Sequence, residues 1–143
     1  MKFILDGDPI AQARHRSVKR KGKTINYDPH APHKHYTRMK IARFAMNEPR
    51  LAYKDFYHVE FTFYFRVPES DSKATKKAKL EGIMTHTQKP DLDNLEKFLL
   101  DSMSGVLFSD DKKVVKLKSE KRWAERGYVE VEINGYNHEK KDG

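Results

Sequence analysis

The stretch DFYHVEFTFYFRVP, residues 55–68, constrains the fold more than any other part of the chain. Val59, Phe61, Phe63, Phe65 and Val67 share one parity, and His58, Glu60, Thr62, Tyr64 and Arg66 share the other. Successive side chains of a strand point to opposite faces, so this alternation predicts a strand with one apolar and one polar face. Its length and aromatic content predict a central position in a sheet.

The other segments are read around it. Residues 2–10 predict a short edge strand, with Phe3 and Leu5 alternating with Ile4 before the Asp8-Pro9 turn. Residues 12–34 are basic, carry Gly22, Pro29 and Pro32, and have too little apolar content for a core of their own. They predict a loop or flexible hairpin, extended over 24–27. Tyr36, Met39, Ala42 and Met46 recur at helical spacing and predict an amphipathic helix over 35–47, stopped by Asn47-Glu48-Pro49. A short lysine-rich helix is predicted over 70–81, capped by Ser70 or Ser72 and stopped by Gly82. Leu95, Phe98, Leu99 and Met103 predict a helix over 93–104 that buries one side, with Gly105 closing it. Val115, Leu117 and Trp123, then Val129, Val131 and Ile133, alternate with polar residues and predict a terminal hairpin. The order implies an α+β fold, a small mixed β-sheet with helices packed on it, in a single domain over 1–136. Residues 137–143 predict a disordered tail.

Charge narrows the partner. The 143 residues hold 29 Lys and Arg against 21 Asp and Glu, a formal net charge of +8, which points toward a polyanion. With no cysteine, disulfides and thiolate metal sites are excluded and any metal ligand must be oxygen or nitrogen. No apolar stretch approaches the ~20 residues that span a bilayer. The expectation is a soluble cytoplasmic protein with no membrane partner.

Against that basic background KPDLDNLEKFLLD, residues 89–101, is anomalous, because Asp91 and Asp93 repel each other and need a compensating group. Asp93 as a helix N-cap, with Glu96 completing a capping box, accounts for one of them. Asp91 is left without a local role, and in an extended lead-in the two carboxylates would converge. Such a pair suits Mg2+ or Mn2+, which needs only one or two protein carboxylates beside water and phosphate. A calcium loop starting at Asp91 fails, because its fifth, sixth and twelfth positions are Leu95, Glu96 and Ser102. Asp93, Lys97 and Asp101 stack at four-residue spacing, either as a structural ion ladder or with Lys97 poised to stabilise charge on a phosphate. Asp110-Asp111 offers a third acid, or simply a turn.

The run KPDLDNLEKFLLDSMSGVLFSDDKKVV resembles the signature of the RusA family of Holliday junction resolvases, through Lys89-Pro90-Asp91, Asp93-Asn94, Lys97, Asp101, Gly105, Asp110-Asp111 and Val114-Val115. Pro9, Arg14 and Arg16 of DPIAQARHR resemble an earlier segment of the same family. The resemblance implies a crossover junction endodeoxyribonuclease, a dimeric hydrolase of phosphodiester bonds known from phages and prophages. It implies that Asp91, Asp93 and Asp111 bind the metal and that Lys97 is the catalytic lysine. Asp110 remains an alternative to Asp111, and Asn94 is either a cap or a partner of the metal ligands. The implied cofactor is Mg2+, with Mn2+ able to substitute, and the implied partners are four-way junction DNA and a second copy of the chain.

DNA contacts are expected from Arg14, Arg16, Lys19, Arg20, Lys21, Lys23 and Lys89, with His15 inside the same run. Lys73, Lys76, Lys77 and Lys79 form a second run, equally open to a solvated helix face. His30, His33 and His35 read as surface residues rather than a zinc site. Tyr27 is a candidate for stacking on exposed bases, whereas Phe108 is assigned to the core. The competing functions are a non-catalytic DNA-binding module and a nucleotide-sugar transferase, and the second lacks a glycine-rich nucleotide-binding pattern.

Overall fold

A computed structural model describes residues 1–14 and 16–139. Among the described residues are six strands and three helices: β1 (Lys2–Asp6), β2 (Arg16–Arg20), β3 (Lys23–Tyr27), α1 (Ala31–Ala45), β4 (Phe56–Arg66), α2 (Lys73–Leu80), α3 (Leu92–Met103), β5 (Val114–Ala124) and β6 (Tyr128–Tyr136). Short 3-10 turns precede β4 and β5, at Leu51–Tyr53 and Asp111–Lys113.

The four-stranded sheet has the order β1-β6-β4-β5, and β2 and β3 form a separate hairpin. β4 is central and β1 is an edge, as the sequence predicts. β4 pairs in parallel with β5 and antiparallel with β6. The terminal hairpin expected from β5 and β6 does not exist, because β4 lies between them. Three residues, Glu125-Arg126-Gly127, carry the chain across the end of β4. Alternation alone cannot tell two strands that pair with each other from two that flank a third.

The alternation of β4 becomes a division of the molecule. Tyr57, Val59, Phe61 and Phe63 are buried, and Val129, Val131 and Ile133 lie opposite on β6. Leu95, Leu99 and Met103 of α3 and Ile41 of α1 join the same cluster, so both helices contribute to the core on this face. The other face holds His58, Glu60, Thr62 and Tyr64 beside Lys116, Lys118, Glu120 and Arg122 of β5. On β5 the register slips by one residue between Tyr57–Val114 and His58–Lys116, leaving Val115 unpaired and 62% exposed. Val115 therefore does not share the buried role of Trp123.

α1 starts four residues earlier than expected, with a proline in its first turn, where the missing N–H costs nothing. The stripe assigned to its core side is reversed. Tyr36, Met39 and Met46 are 61%, 52% and 79% exposed, while Ile41 is fully buried and Phe44 stacks on Phe3 at 4.8 Å. α2 is capped by Ser72, which accepts from the Thr75 N–H. Three of its four lysines make ion pairs: Lys79 is buried, 2.6 Å from Asp71 and over the Trp123 ring, and Lys76 and Lys77 pair with Glu69 and Glu81. Lys79 therefore belongs to the fold. Phe108 is in the core, as assigned. Of the tail, residues 140–143 lie outside the described residues, while the His138 N–H donates to Asp55 at 2.7 Å.

His86 closes the end of the sheet, stacked on Phe65 at 4.1 Å and against Trp123 at 4.4 Å. Burial lowers its pKa below the ordinary 6.5, and Lys121 and Lys79 add to that direction. A base with a depressed native pKa favours folding above its unfolded value, and that contribution is lost as pH falls below ~6.5 toward the native value. His86→Phe, which can stack in the same slot, should flatten the decline of melting temperature between pH 7 and 5, measured by calorimetry. At the β5–β6 crossing, a Cβ on Gly127 would sit 2.9 Å from the Asp8 Cα. Gly127→Ala should therefore cost about 1–3 kcal/mol in denaturant unfolding, because backbone must move to admit it.

Candidate metal and nucleic-acid site

α3 carries the acidic motif on a helix held by its apolar side. Leu95, Phe98, Leu99, Ser102 and Met103 are buried, which turns Asp93, Lys97 and Asp101 outward. The helix starts one residue earlier than the sequence suggests, so Asp91 rather than Asp93 occupies the N-cap position. The Asp91 side chain makes no capping hydrogen bond. Asp93 lies in the first turn, and Glu96, instead of closing a capping box, accepts from the Ser119 hydroxyl at 2.6 Å and ties α3 to β5. Among the described residues, neither Asp91 nor Asp93 has a side-chain hydrogen bond or an ion pair. The positive end of the helix dipole eases the repulsion between them.

Lys97 likewise makes no ion pair among the described residues, so the ladder from Asp93 through Lys97 to Asp101 is not formed. Asp101 is instead 3.4 Å from Lys34 of α1. Lys97 remains an exposed ammonium one helical turn beyond Asp93.

The backbone leading into Asp91 is fixed from the sheet. Lys121 of β5 sends its ammonium to the carbonyls of Gln88 at 2.7 Å and Pro90 at 3.0 Å. Sequence alone could not reveal this, since Lys121 is one of many lysines and its partners are main-chain atoms 31 and 33 residues away. On the other side the Gln12 N–H donates to the Asn94 carbonyl at 2.8 Å, and Arg14, Lys89, Pro90, Asp91 and Asn94 line one open cleft. The cleft thus holds the free Asp91 carboxylate with two cations, Arg14 and Lys89, and Asp93 follows it in the first turn of α3.

Asp28 clamps the far end of the basic segment. It accepts from the His30 N–H at 2.8 Å, from the Gln12 side chain at 3.3 Å and from Lys34 at 3.2 Å. These donors, the His30 N–H foremost, hold its carboxyl below the ordinary range. His30 itself faces the Ala11 carbonyl through Nδ1 at 2.8 Å, a structural contact. Gln12 and Asp28 were not singled out in the sequence; the only local signal was the Asp28-Pro29 turn. Arg16, Lys19, Arg20, Lys21 and Lys23 lie on the β2–β3 hairpin between those two anchors, and every strand residue of that hairpin is exposed. His15 lies outside the described residues.

Asp110 and Asp111 sit elsewhere. Asp110 caps the 3-10 turn by accepting from the Lys112 N–H at 2.9 Å, which lowers its pKa. Asp111 is raised, chiefly by its contact with Asp110, and it also feels the charge of Asp101. α3 runs antiparallel to β5, with Ser119 on Glu96 and Lys121 on Pro90, so the turn before β5 that carries Asp111 lies toward the C-terminal end of α3. Ten residues of helix from Asp91 to Asp101 span about 15 Å. No group of three acidic or histidine side chains able to hold a metal forms among the described residues. Asp91 and Asp93 both stand at the N-terminus of α3, and Asp111 is apart from them.

The chain matches the family description "Endodeoxyribonuclease RusA" over residues 6–134. It is 32% identical over 135 residues to "Uncharacterized protein YqaN" of Bacillus subtilis (strain 168), covering 93% of this chain and 94% of that protein. It is 28% identical to "Crossover junction endodeoxyribonuclease rusA" of Lactococcus phage r1t, covering 92% and 94%.

Lys121→Met should leave the Gln88 and Pro90 carbonyls without their charged donor. Amide exchange over residues 89–95 should accelerate about tenfold, and global stability should fall by about 1.5 kcal/mol. Lys121→Arg should recover part of both, and exchange unchanged in the Met variant would remove Lys121 from the support of the motif.

Proposed function

Since this chain belongs to the RusA endodeoxyribonuclease family, we propose that it is a Mg2+-dependent, structure-selective nuclease that resolves four-way DNA junctions by paired nicks in recombination and repair. The observation that carries the reading is the α3 N-terminus, where among the described residues neither the Asp91 nor the Asp93 side chain makes a capping bond or an ion pair and Asp91 shares a cleft with Arg14 and Lys89. Carboxylates kept free in a protein of net charge +8 are costly to place beside DNA unless a cation joins them. Their oxygens and the absence of cysteine suit Mg2+ or Mn2+.

In this reading Asp91 and Asp93 hold the metal, and the third ligand, Asp111, comes from a second copy. The separation along α3 supports that assignment, as does the need for two active sites to nick two opposed strands. A homodimer of two-fold symmetry supplies both composite sites at once. A divalent cation held there would supply Lewis acidity and would lower the pKa of a water near the phosphate. The chain's own residues do the rest. Lys97 places a compact positive charge where negative charge grows on the phosphate in the transition state. Arg14, Arg16 and Lys89 hold backbone phosphates beside the acids, and the hairpin cations Lys19, Arg20, Lys21 and Lys23 extend that grip.

Asp91→Asn and Asp93→Asn should each abolish nicking of a labelled four-way junction while leaving junction binding intact, read by gel and by anisotropy. Lys97→Ala should bind normally and lose on the order of 100-fold in single-turnover cleavage. Subunit mixing tests the composite site. Asp91→Asn and Asp111→Asn chains are each inactive alone, but mixed dimers hold one intact pairing and should nick one strand. Failure of mixtures to nick, with mixed dimers formed, places all three acids in one chain. A full set of variants that bind junctions but never cut, the parent included, would leave a DNA-binding module.

A further inference from the structure

The β2–β3 hairpin is unusual in three respects. Among the described residues it pairs with no other strand, and an isolated two-stranded hairpin is only marginally stable in water. Its two ends are nonetheless fixed, one by Gln12 on Asn94 and the other by Asp28 on His30, Gln12 and Lys34. Its tip is a two-residue turn in which both Lys21 (φ 52°) and Gly22 (φ 75°) take positive φ. Such turns favour asparagine or aspartate before the glycine, because a long side chain pays a steric cost in that conformation. A lysine at the tip keeps a cation there despite that cost.

The register divides the hairpin into faces. Arg16–Tyr27, Val18–Ile25 and Arg20–Lys23 lie opposite each other on one face, with Ser17–Asn26 and Lys19–Thr24 on the other. The first face is a band of apolar surface between cations, and Val18, Ile25 and Tyr27 are 37%, 49% and 41% exposed. From Arg14 to Tyr27 there are six Lys and Arg residues and no acid.

A protein partner with such a surface would need an acidic counterpart. The cations of the cleft beside Asp91 continue directly into the arm and favour DNA instead. The apolar band then has a specific use. In continuous duplex both faces of every base pair are covered by stacking, and cations meet phosphates equally in any DNA. Where helices part at a branch, base faces lose a neighbour and accept an apolar side chain, as they do when apolar wedges enter a kinked duplex. Five residues of strand reach roughly 13–16 Å, enough to pass from the phosphates to the helix axis.

We propose that the β2–β3 hairpin is a branch-sensing arm, gripping phosphates through its cations and packing Val18, Ile25 and Tyr27 on the base faces that a junction centre exposes. It rests on the nuclease reading only for the choice of DNA as partner. The arm gives structural selectivity, and the cations give affinity without it.

The test compares a four-way junction with a linear duplex of matching sequence, by anisotropy without Mg2+, so that no cleavage is needed. Val18→Thr/Ile25→Thr keeps both residues β-branched while adding hydroxyls. It should raise the junction Kd about tenfold, leave the duplex Kd within twofold, and abolish the fluorescence change of 2-aminopurine placed at the crossover. Val18→Leu/Ile25→Leu should retain the preference. Equal weakening on both DNAs, an unchanged junction Kd, a parent chain that prefers neither DNA, or a smaller mass by light scattering in the Thr variant would each overturn the proposal; the last would give the band to a second copy. Loss of the cooperative melt in the Thr variant would overturn it too, by making the band part of the core. A parent that prefers junctions through this band yet cuts none with Mg2+ keeps the arm and sinks the nuclease reading. A parent that cuts junctions while the Thr variant keeps its preference does the opposite.

Discussion

The structure depends on β4 being paired on both edges and buried on one face only. Its Val59, Phe61 and Phe63 sit in the core, and each edge receives a strand from the same three-residue crossing. Everything that bears on function follows from that asymmetry. The apolar face draws α3 down onto the sheet through Leu95, Leu99 and Met103, and the Ser119–Glu96 bond fixes where it lies. The helix has no freedom left to choose which side it shows to solvent. Asp93, Lys97 and Asp101 are exposed because the opposite side is committed to the core.

The acids are thus presented by packing, while their approach is set by main-chain contacts. Lys121 holds the chain on one side of Asp91, and Gln12 holds the other at Asn94. One is a side-chain ammonium and the other a main-chain N–H, both donate to backbone carbonyls, and both come from distant parts of the chain. The basic hairpin is attached to this same frame at Gln12 and Asp28, so cations and acids share one foundation although the hairpin itself is exposed throughout.

What the sequence disclosed, and what it hid, follows the range of the interaction. The strict alternation of β4, the apolar stripe of α3 and the Ser72 cap are local patterns with one geometric meaning, and the structure bears them out. The acidic motif was legible as an anomaly of charge, which needs no coordinates. The pairing of β5 and β6 was misread because strand adjacency is decided by a third strand arriving between them. The exposed stripe Tyr36, Met39 and Met46 was assigned to the core because helical spacing marks a face without saying which way it points; Ile41 and Phe44 won that side through contact with β1 and its neighbours. The ladder through Lys97 failed since Asp101 found Lys34, a partner 67 residues away. The location of Asp111 was beyond reach for the same reason, as it depends on how a loop returns along a helix.

The pairing of β1 with β6 has a consequence for synthesis. β1 is completed only by β6, the last of the described strands, with Phe3 opposite Val131 and the Met1 amino group on the Ile133 carbonyl at 2.8 Å. On the ribosome β1 therefore emerges long before its partner and waits through the whole of α1, α2 and α3. Contacts of such sequence separation are closed late and slow folding. The sheet cannot seal until β6 has cleared the exit tunnel, and a product truncated before β6 would carry its acids on a helix whose sheet lacks the strand between β1 and β4.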